Sequence, residues 1–174
     1  MGMSKSGFVP VNIAVLTVSD TRTLETDGSG GYLAGAIEAA GHRLAGRAIV
    51  PDDVERIRAA LRTWIDDPAV DAVVTTGGTG LTGRDVTPEA VAPLFDKVIE
   101  GFAVVFHNVS FRSVGLSTIQ SRACAGVAKG TLIFCLPGSG GAVRDGWQQV
   151  LSHQLDARTR PCNLVEIMPR LLEE

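Results

Sequence analysis

Lysine is scarce in this sequence: of 16 basic side chains 13 are arginine, and they face 19 acidic ones for a net charge of −3. With no excess of basic charge, the global electrostatic footprint of a nucleic-acid binder is missing. Cysteine is sparse as well. Cys124, Cys135 and Cys162 are odd in number, far apart and free of any C-x-x-C spacing. That argues against a disulfide framework or a zinc site and fits a reducing compartment. No apolar run approaches the ~18 residues of a membrane span. The opening Met-Gly-Met-Ser-Lys-Ser-Gly-Phe leads straight into a strand pattern rather than a signal-type apolar stretch, so a cytoplasmic protein without membrane partners is expected. A P-loop is excluded, because Gly-Lys-Ser/Thr occurs nowhere in the chain. His107 has no second histidine at metal-ligand spacing and reads as a surface or packing residue.

What is present is an ordinary globular profile, 45% apolar and 20% charged over 174 residues, enough for one domain with a substantial core. Residues 11 to 18 are apolar on both alternating faces, the pattern of a strand covered by helices on two sides. They run into Ser19, Asp20 and a glycine-bearing loop. A helix is expected over about 30 to 40, with Leu33, Ala36, Ile37 and Ala40 on one face and a stop at Gly41. A second strand, about 43 to 50, precedes Pro51-Asp52-Asp53, where Asp52 and Glu55 resemble a capping box. The helix it opens carries Val54, Ile57, Leu61, Trp64 and Ile65 as a stripe, with Arg56, Arg58 and Arg62 read as a solvated face. Residues 69 to 76 give a third strand. Phe102, Val105, Phe106 and Val109 are helical in spacing, whereas residues 113 to 130 resist assignment. Thr131 to Leu136 is a buried strand, broken by Pro137-Gly138-Ser139-Gly140-Gly141 before a helix with Val143, Trp147, Val150, Leu151 and Leu155. Strands alternating with helices predict a three-layer α/β/α fold with a mostly parallel central sheet. In such sheets ligands sit beyond the carboxyl ends of the strands, so the loops after residues 18, 76 and 136 are expected to converge.

The most informative stretch is residues 73 to 90, an apolar strand that breaks at Gly77, Gly78, Gly80 and Gly83. It ends in a helix start, with Thr87 expected as N-cap, Pro88 at the first helical position and Glu89 in the first turn. Glycine lets backbone N–H groups approach an anionic ligand closely. Gly78, Gly80 and Gly83 also fit G-x-G-x-x-G, but the late helix start argues against a dinucleotide fingerprint. Arg84 and Asp85 add a cation for phosphate and a carboxylate for a divalent metal. The plain alternative is that the glycines serve only the turn. Likewise Asp20 reads equally well as a turn-capping carboxylate and Glu89 as a helix-dipole one.

Thr76-Gly-Gly-Thr-Gly80 followed by Arg84-Asp-Val-Thr-Pro-Glu89 resembles the signature of the MogA/MoaB family of molybdenum cofactor biosynthesis proteins. Leu16-Thr-Val-Ser-Asp20, Ser29-Gly30 and Leu136-Pro-Gly-Ser139 match its other landmarks. The resemblance spans about residues 11 to 164, which leaves 1–10 as an N-terminal extension and 165–174 as a C-terminal tail. Glu100-Gly-Phe through Ser121-Arg-Ala, and Leu155 through Asn163, are similar to the MoaB branch in particular.

The resemblance implies binding of molybdopterin, a pterin dithiolene with a terminal phosphate, and in active members adenylyl transfer to that phosphate from Mg-ATP with release of pyrophosphate. It implies that Asp85 holds Mg²⁺ and acts as the catalytic residue. Thr76, Gly77, Gly78, Thr79 and Gly80 would cradle a phosphate or the pterin, with Pro137, Gly138 and Ser139 as the facing wall. Asp20, Ser29, Arg84 and Glu89 follow by position in the pattern. The Arg84-to-Glu89 form is intact, which favours activity; Ser139-Gly140-Gly141 stands where MogA-like members carry a proline, which bears on the pocket's shape. The resemblance further implies a homo-oligomer, a trimer or a hexamer built from two trimers, working beside other proteins of the pathway. The alternatives are a non-catalytic molybdopterin carrier and a related-fold domain of competence-damage type acting on other nucleotides. The MoaB-like run from Asp156 to Asn163, and the expectation of a single domain, count against the second.

Overall fold

The computed structural model describes residues 7–173; the first six residues of the expected N-terminal extension and Glu174 lie outside the described residues. Six strands form one sheet in the order β2-β1-β3-β6-β5-β4. Strands β1 (Asn12–Val18), β2 (Arg43–Val50), β3 (Ala72–Thr76) and β6 (Thr131–Leu136) are parallel. Strand β5 (Cys124–Ala128) runs antiparallel to β6, and the short edge strand β4 (Lys97–Val98) runs antiparallel to β5. The helices are α1 (Gly28–Ala39), α2 (Val54–Ile65), α3 (Thr87–Val91), α4 (Glu100–Val114) and α5 (Gly140–Gly146). Helix α5 runs on through a π-helical segment, Trp147–Leu151, into Ser152–Gln154.

Period-two alternation sorts each central strand into two cores. Ile13, Val15, Val74, Leu132 and Phe134 pack against Leu33 and Ile37 of α1, Phe102 and Phe106 of α4, and Val143, Trp147 and Leu151. Ala14, Leu16, Val73, Ile133 and Cys135 pack on the other face against Ile57, Leu61 and Ile65 of α2 and Ala90 and Val91 of α3. This is the three-layer α/β/α fold with a mostly parallel sheet that the alternation predicts. The 165–173 segment is part of it, since Val165 is buried and Met168 and Leu171 pack on the first core.

Several local expectations need correction. Helix α1 starts at Gly28, earlier than expected, because Asp27 is its cap and accepts the Gly30 N–H at 2.9 Å. Asp27 is buried, and it also accepts the Thr17 hydroxyl at 2.7 Å and Arg47 Nη2 at 3.0 Å. The cap of α2 is Asp53, which accepts the Arg56 N–H at 2.9 Å, so the box at Asp52 and Glu55 is one residue out of register. Thr87 is the first residue of α3 rather than its cap, because its hydroxyl donates to the Gly77 carbonyl at 2.9 Å. Arg58 is no bystander on a solvated face. Its Nε donates to the Ala90 carbonyl and its Nη2 to the Glu89 carbonyl, both at 3.0 Å, tying α3 to α2. Val105 and Trp64 lie at the margins of their stripes; Val105 is 49% exposed. His107 packs against Phe106 and bonds Thr118 through Nδ1 at 2.8 Å.

His42 supplies a pH test of the fold. It is buried between the Phe8 and Trp147 rings, and its Nδ1 accepts the Val11 N–H at 3.2 Å. Burial lowers its pKa, opposed in part by the Asp156 charge. Below the ordinary imidazole value of about 6.5 the unfolded chain therefore binds a proton that the folded protein refuses. Stability is expected to fall as pH drops from 7 toward 5, by at most about 1.4 kcal/mol per unit for one proton. Thermal midpoints across that window check it, and His42→Phe should flatten the dependence.

Candidate functional site

The strand register brings the three loops together. Thr17 pairs with Thr76, and Thr76 with Leu136, so β1, β3 and β6 end at one level. The chain reverses its direction of sheet growth between β1 and β3, the switch point where α/β sheets open a crevice.

Two glycines make the crevice possible. Gly77 has φ of +99°, and a Cβ there would lie 2.2 Å from the Val18 carbonyl oxygen. A Cβ on Gly80 would lie 2.7 Å from Asp85 Oδ2. The walls are then stitched across. Thr76 Oγ1 donates to the Pro137 carbonyl at 2.9 Å, Gly77 N–H to Leu136 at 3.1 Å, and Ser29 Oγ to Gly138 at 2.9 Å. Ser139 caps α5 through the Ala142 N–H at 3.3 Å. The hydroxyls of Thr76, Ser29 and Ser139 thus shape the site as framework bonds, and Thr79 is buried beneath it.

The ridge of Gly77 and Gly138 divides the crevice into two chambers that share Val18 and Ser19. One, of about 490 Å³, is lined by Arg22, Ser29, Tyr32, Ser139 and Arg144. The Arg144 guanidinium lies over the Tyr32 ring, 4.5 Å from its centroid. Its one carboxylate, Asp27, is neutralised by Arg47. Burial pushes the Asp27 carboxyl up, but the Thr17 hydroxyl, the Gly30 N–H and Arg47 together bring it below the ordinary value. This chamber is basic. The other, of about 410 Å³, is lined by Asp52, Gly78, Thr79, Gly80, Arg84, Asp85 and Ser121.

In the second chamber the carboxylates differ. Asp85 Oδ2 accepts the Thr82 hydroxyl at 2.6 Å and the Thr82 N–H at 2.9 Å, and these bonds hold its pKa below the ordinary range. Asp52 is raised, by burial first and then by the neighbouring Asp20 and Asp85 charges. Asp20 is lowered by its two-pronged pair with Arg84, with Nη2 to Oδ2 at 2.6 Å and Nε to Oδ2 at 3.0 Å. Among the described residues no three His, Cys, Asp or Glu side chains gather as a metal cluster. A divalent ion on one or two carboxylates with substrate oxygens completing its shell fits this donor set; a closed protein cage does not.

Of the residues expected at a site, Thr76 to Gly80, Arg84, Asp85, Pro137, Gly138, Ser139 and Ser29 line the two chambers. Asp20 stands beside them through Arg84. Glu89 is outside both linings, paired with Arg122. Several side chains escaped the sequence reading: Arg22, Tyr32 and Arg144 of the first chamber, and two around the second. Asp52 was hidden in a cap-like pattern, and Arg122 in the segment without periodicity; its Nε donates to the Gly80 carbonyl and its Nη2 to the Asp85 carbonyl, both at 2.8 Å.

The family model described as a probable molybdopterin binding domain matches residues 14–157. The chain belongs to the MogA/MoaB family of molybdenum cofactor biosynthesis proteins. It is 50% identical over 163 residues to Molybdenum cofactor biosynthesis protein B of Escherichia coli (strain K12), covering 94% of this chain and 96% of that one. A crystal structure of a Molybdenum cofactor biosynthesis protein B superposes with TM-score 0.85 at 37% identity, covering 99% of this chain and all of that one. The tungsten cofactor synthesizing protein MoaB from Pyrococcus furiosus does so with TM-score 0.78 at 34% identity, covering 94% and 98%. The matched residues 14–157 include the linings of both chambers. Among the described residues no helix is long and apolar enough to cross a membrane.

Proposed function

We propose that this protein binds molybdopterin and adenylylates its terminal phosphate with Mg-ATP. The observation that carries the reading is the pairing of a basic and an acidic chamber across a glycine ridge. Molybdopterin, whose phosphate is anionic, suits the chamber with Arg22 and Arg144 and the N-terminus of α1. Mg-ATP suits the chamber with Asp85, Asp52 and the Gly77–Gly80 backbone.

A molybdopterin phosphate oxygen would attack the α-phosphorus of ATP, with the bond to the bridging oxygen breaking and pyrophosphate leaving. Such transfers depend on positioning and charge neutralisation rather than on a protein nucleophile. The magnesium ion supplies neutralisation of the phosphate charge. Asp85 and Asp52 would hold it, Arg84 would neutralise further oxygens, and the ridge would align donor and acceptor.

The carrier reading has one observation in its favour: Arg84 is already committed to Asp20. Calorimetric titration separates the two. The transferase reading expects saturable binding of both ligands, with Arg144→Gln weakening molybdopterin about tenfold, the scale of one charged hydrogen bond. Molybdopterin binding without any nucleotide binding would favour the carrier.

The assembly belongs to the same proposal. Val104, Phe111, Val114, Leu116 and Ile119, on α4 and the 3₁₀ segment after it, are each more than half exposed. Apolar exposure gathered on one segment marks an interface, and a second copy of the chain is the partner the trimer or hexamer expectation supplies. Phe111→Glu with Leu116→Glu is expected to lower the mass by sedimentation equilibrium. An unchanged mass would remove this face from the interface.

A further inference from the structure

The loop that carries Asp85 has little core of its own. Leu81 is 65% exposed and the Arg84 side chain 67%; the backbone bonds that close the loop are the Asp85 N–H to the Thr82 carbonyl at 3.1 Å and, at its base, the Thr87 N–H to the Gly78 carbonyl at 2.9 Å. Above that base, residues 80 and 85 are bridged by a side chain from a distant segment. Arg122 enters from the segment just before β5, where its own N–H donates to the Thr79 carbonyl at 2.8 Å. Its guanidinium then reaches the Gly80 carbonyl on one side of the loop and the Asp85 carbonyl on the other. The remaining prong pairs with the Glu89 carboxylate. Glu89 is itself fixed, because Arg58 of α2 bonds its backbone carbonyl and that of Ala90. A planar guanidinium with donors at fixed angles can span two carbonyls and a carboxylate at once; an ammonium cannot match that geometry.

We propose that Arg122 is a positioning residue for the metal-binding carboxylate, and that Glu89 serves the site by orienting Arg122 rather than by touching ligand. This rests on the proposed Mg-ATP site at Asp85. Arg122 spans residues 80 and 85, so it fixes the turn from which the Asp85 side chain projects beside Gly80. Without that fork the loop samples other arrangements, and the metal is bound only by the fraction that presents Asp85 correctly, which weakens apparent affinity by that fraction. Glu89→Ala leaves both carbonyl bonds in place and should do less harm than loss of the guanidinium.

The test is Mn²⁺ titrated in the presence of saturating ATP and followed by electron paramagnetic resonance, on wild type, Arg122→Ala, Arg122→Lys, Glu89→Ala and Asp85→Ala. The expected result is Mn²⁺ affinity weakened about tenfold by Arg122→Ala, the order of a lost charged hydrogen bond. Arg122→Lys should fail to rescue it, and Glu89→Ala should fall between wild type and Arg122→Ala. Because Arg122→Lys keeps the charge, it carries the test if the alanine variant folds poorly. Wild-type affinity in either Arg122 variant overturns the positioning role while leaving the Mg-ATP reading intact. Glu89→Ala as damaging as Asp85→Ala would make Glu89 a direct ligand and overturn its assigned part. Absence of Mn²⁺ binding to wild type would overturn the Mg-ATP reading, and the role of Arg122 with it.

Discussion

Asp85→Ala is expected to cut adenylyl transfer by about 10²-fold or more, the scale seen when one charge-stabilising group is removed from a transfer site. Asp85 lines the acidic chamber in a loop outside the two cores, so its loss should spare the fold. Asp85→Asn is the sharper variant. It keeps an acceptor for the Thr82 hydroxyl and N–H, and so the local turn, while removing the charge. Both variants should therefore melt near wild type and both should be inactive. A folded Asp85→Asn protein with wild-type turnover would mean that no metal sits there.

Gly77→Ala should produce the largest structural effect of any single methyl in the chain's loops. The residue combines a φ of +99° with a Cβ position 2.2 Å from the Val18 carbonyl oxygen, and that oxygen belongs to a central strand that cannot retreat. Strain and overlap together are expected to cost about 3 kcal/mol or more. In a protein of this size that lowers the melting midpoint by roughly 6–12 °C. Gly83→Ala is the control, since a Cβ there meets nothing within 4 Å and its φ is not in the left-handed region. It should stay within about 0.5 kcal/mol of wild type. Equal midpoints for the two would show that the ridge relaxes freely. Because Gly77 and Gly138 separate the chambers, Gly77→Ala should also weaken both ligands.

The parallel core was legible because its strands are apolar on both faces and each is followed by a helix stripe. The convergence of the loops after 18, 76 and 136 followed from the same pattern, and the register of β1, β3 and β6 bears it out. The antiparallel edge was not legible. Cys124 to Ala128 is built of small residues without alternation, and Lys97–Val98 is too short to leave a signal. The same gap hid Arg122, which lies two residues before β5 and whose role depends on contacts with residues 80, 85 and 89. Asp52 was lost differently. Its neighbour Asp53 does the capping, and a one-residue shift in the cap turned a chamber carboxylate into an apparent local one. Caps are read from short-range spacing, and two adjacent aspartates satisfy that spacing almost equally.

The measurement that bears most directly on the account is product formation by the wild-type protein. Purified protein is incubated with molybdopterin, Mg²⁺ and ATP, and adenylylated molybdopterin and pyrophosphate are quantified together by mass and by a coupled assay. The account predicts the two products in equal amounts, rising with time and abolished by chelating the metal. Molybdopterin recovered unchanged from a protein that binds it tightly would contradict adenylyl transfer and leave a carrier.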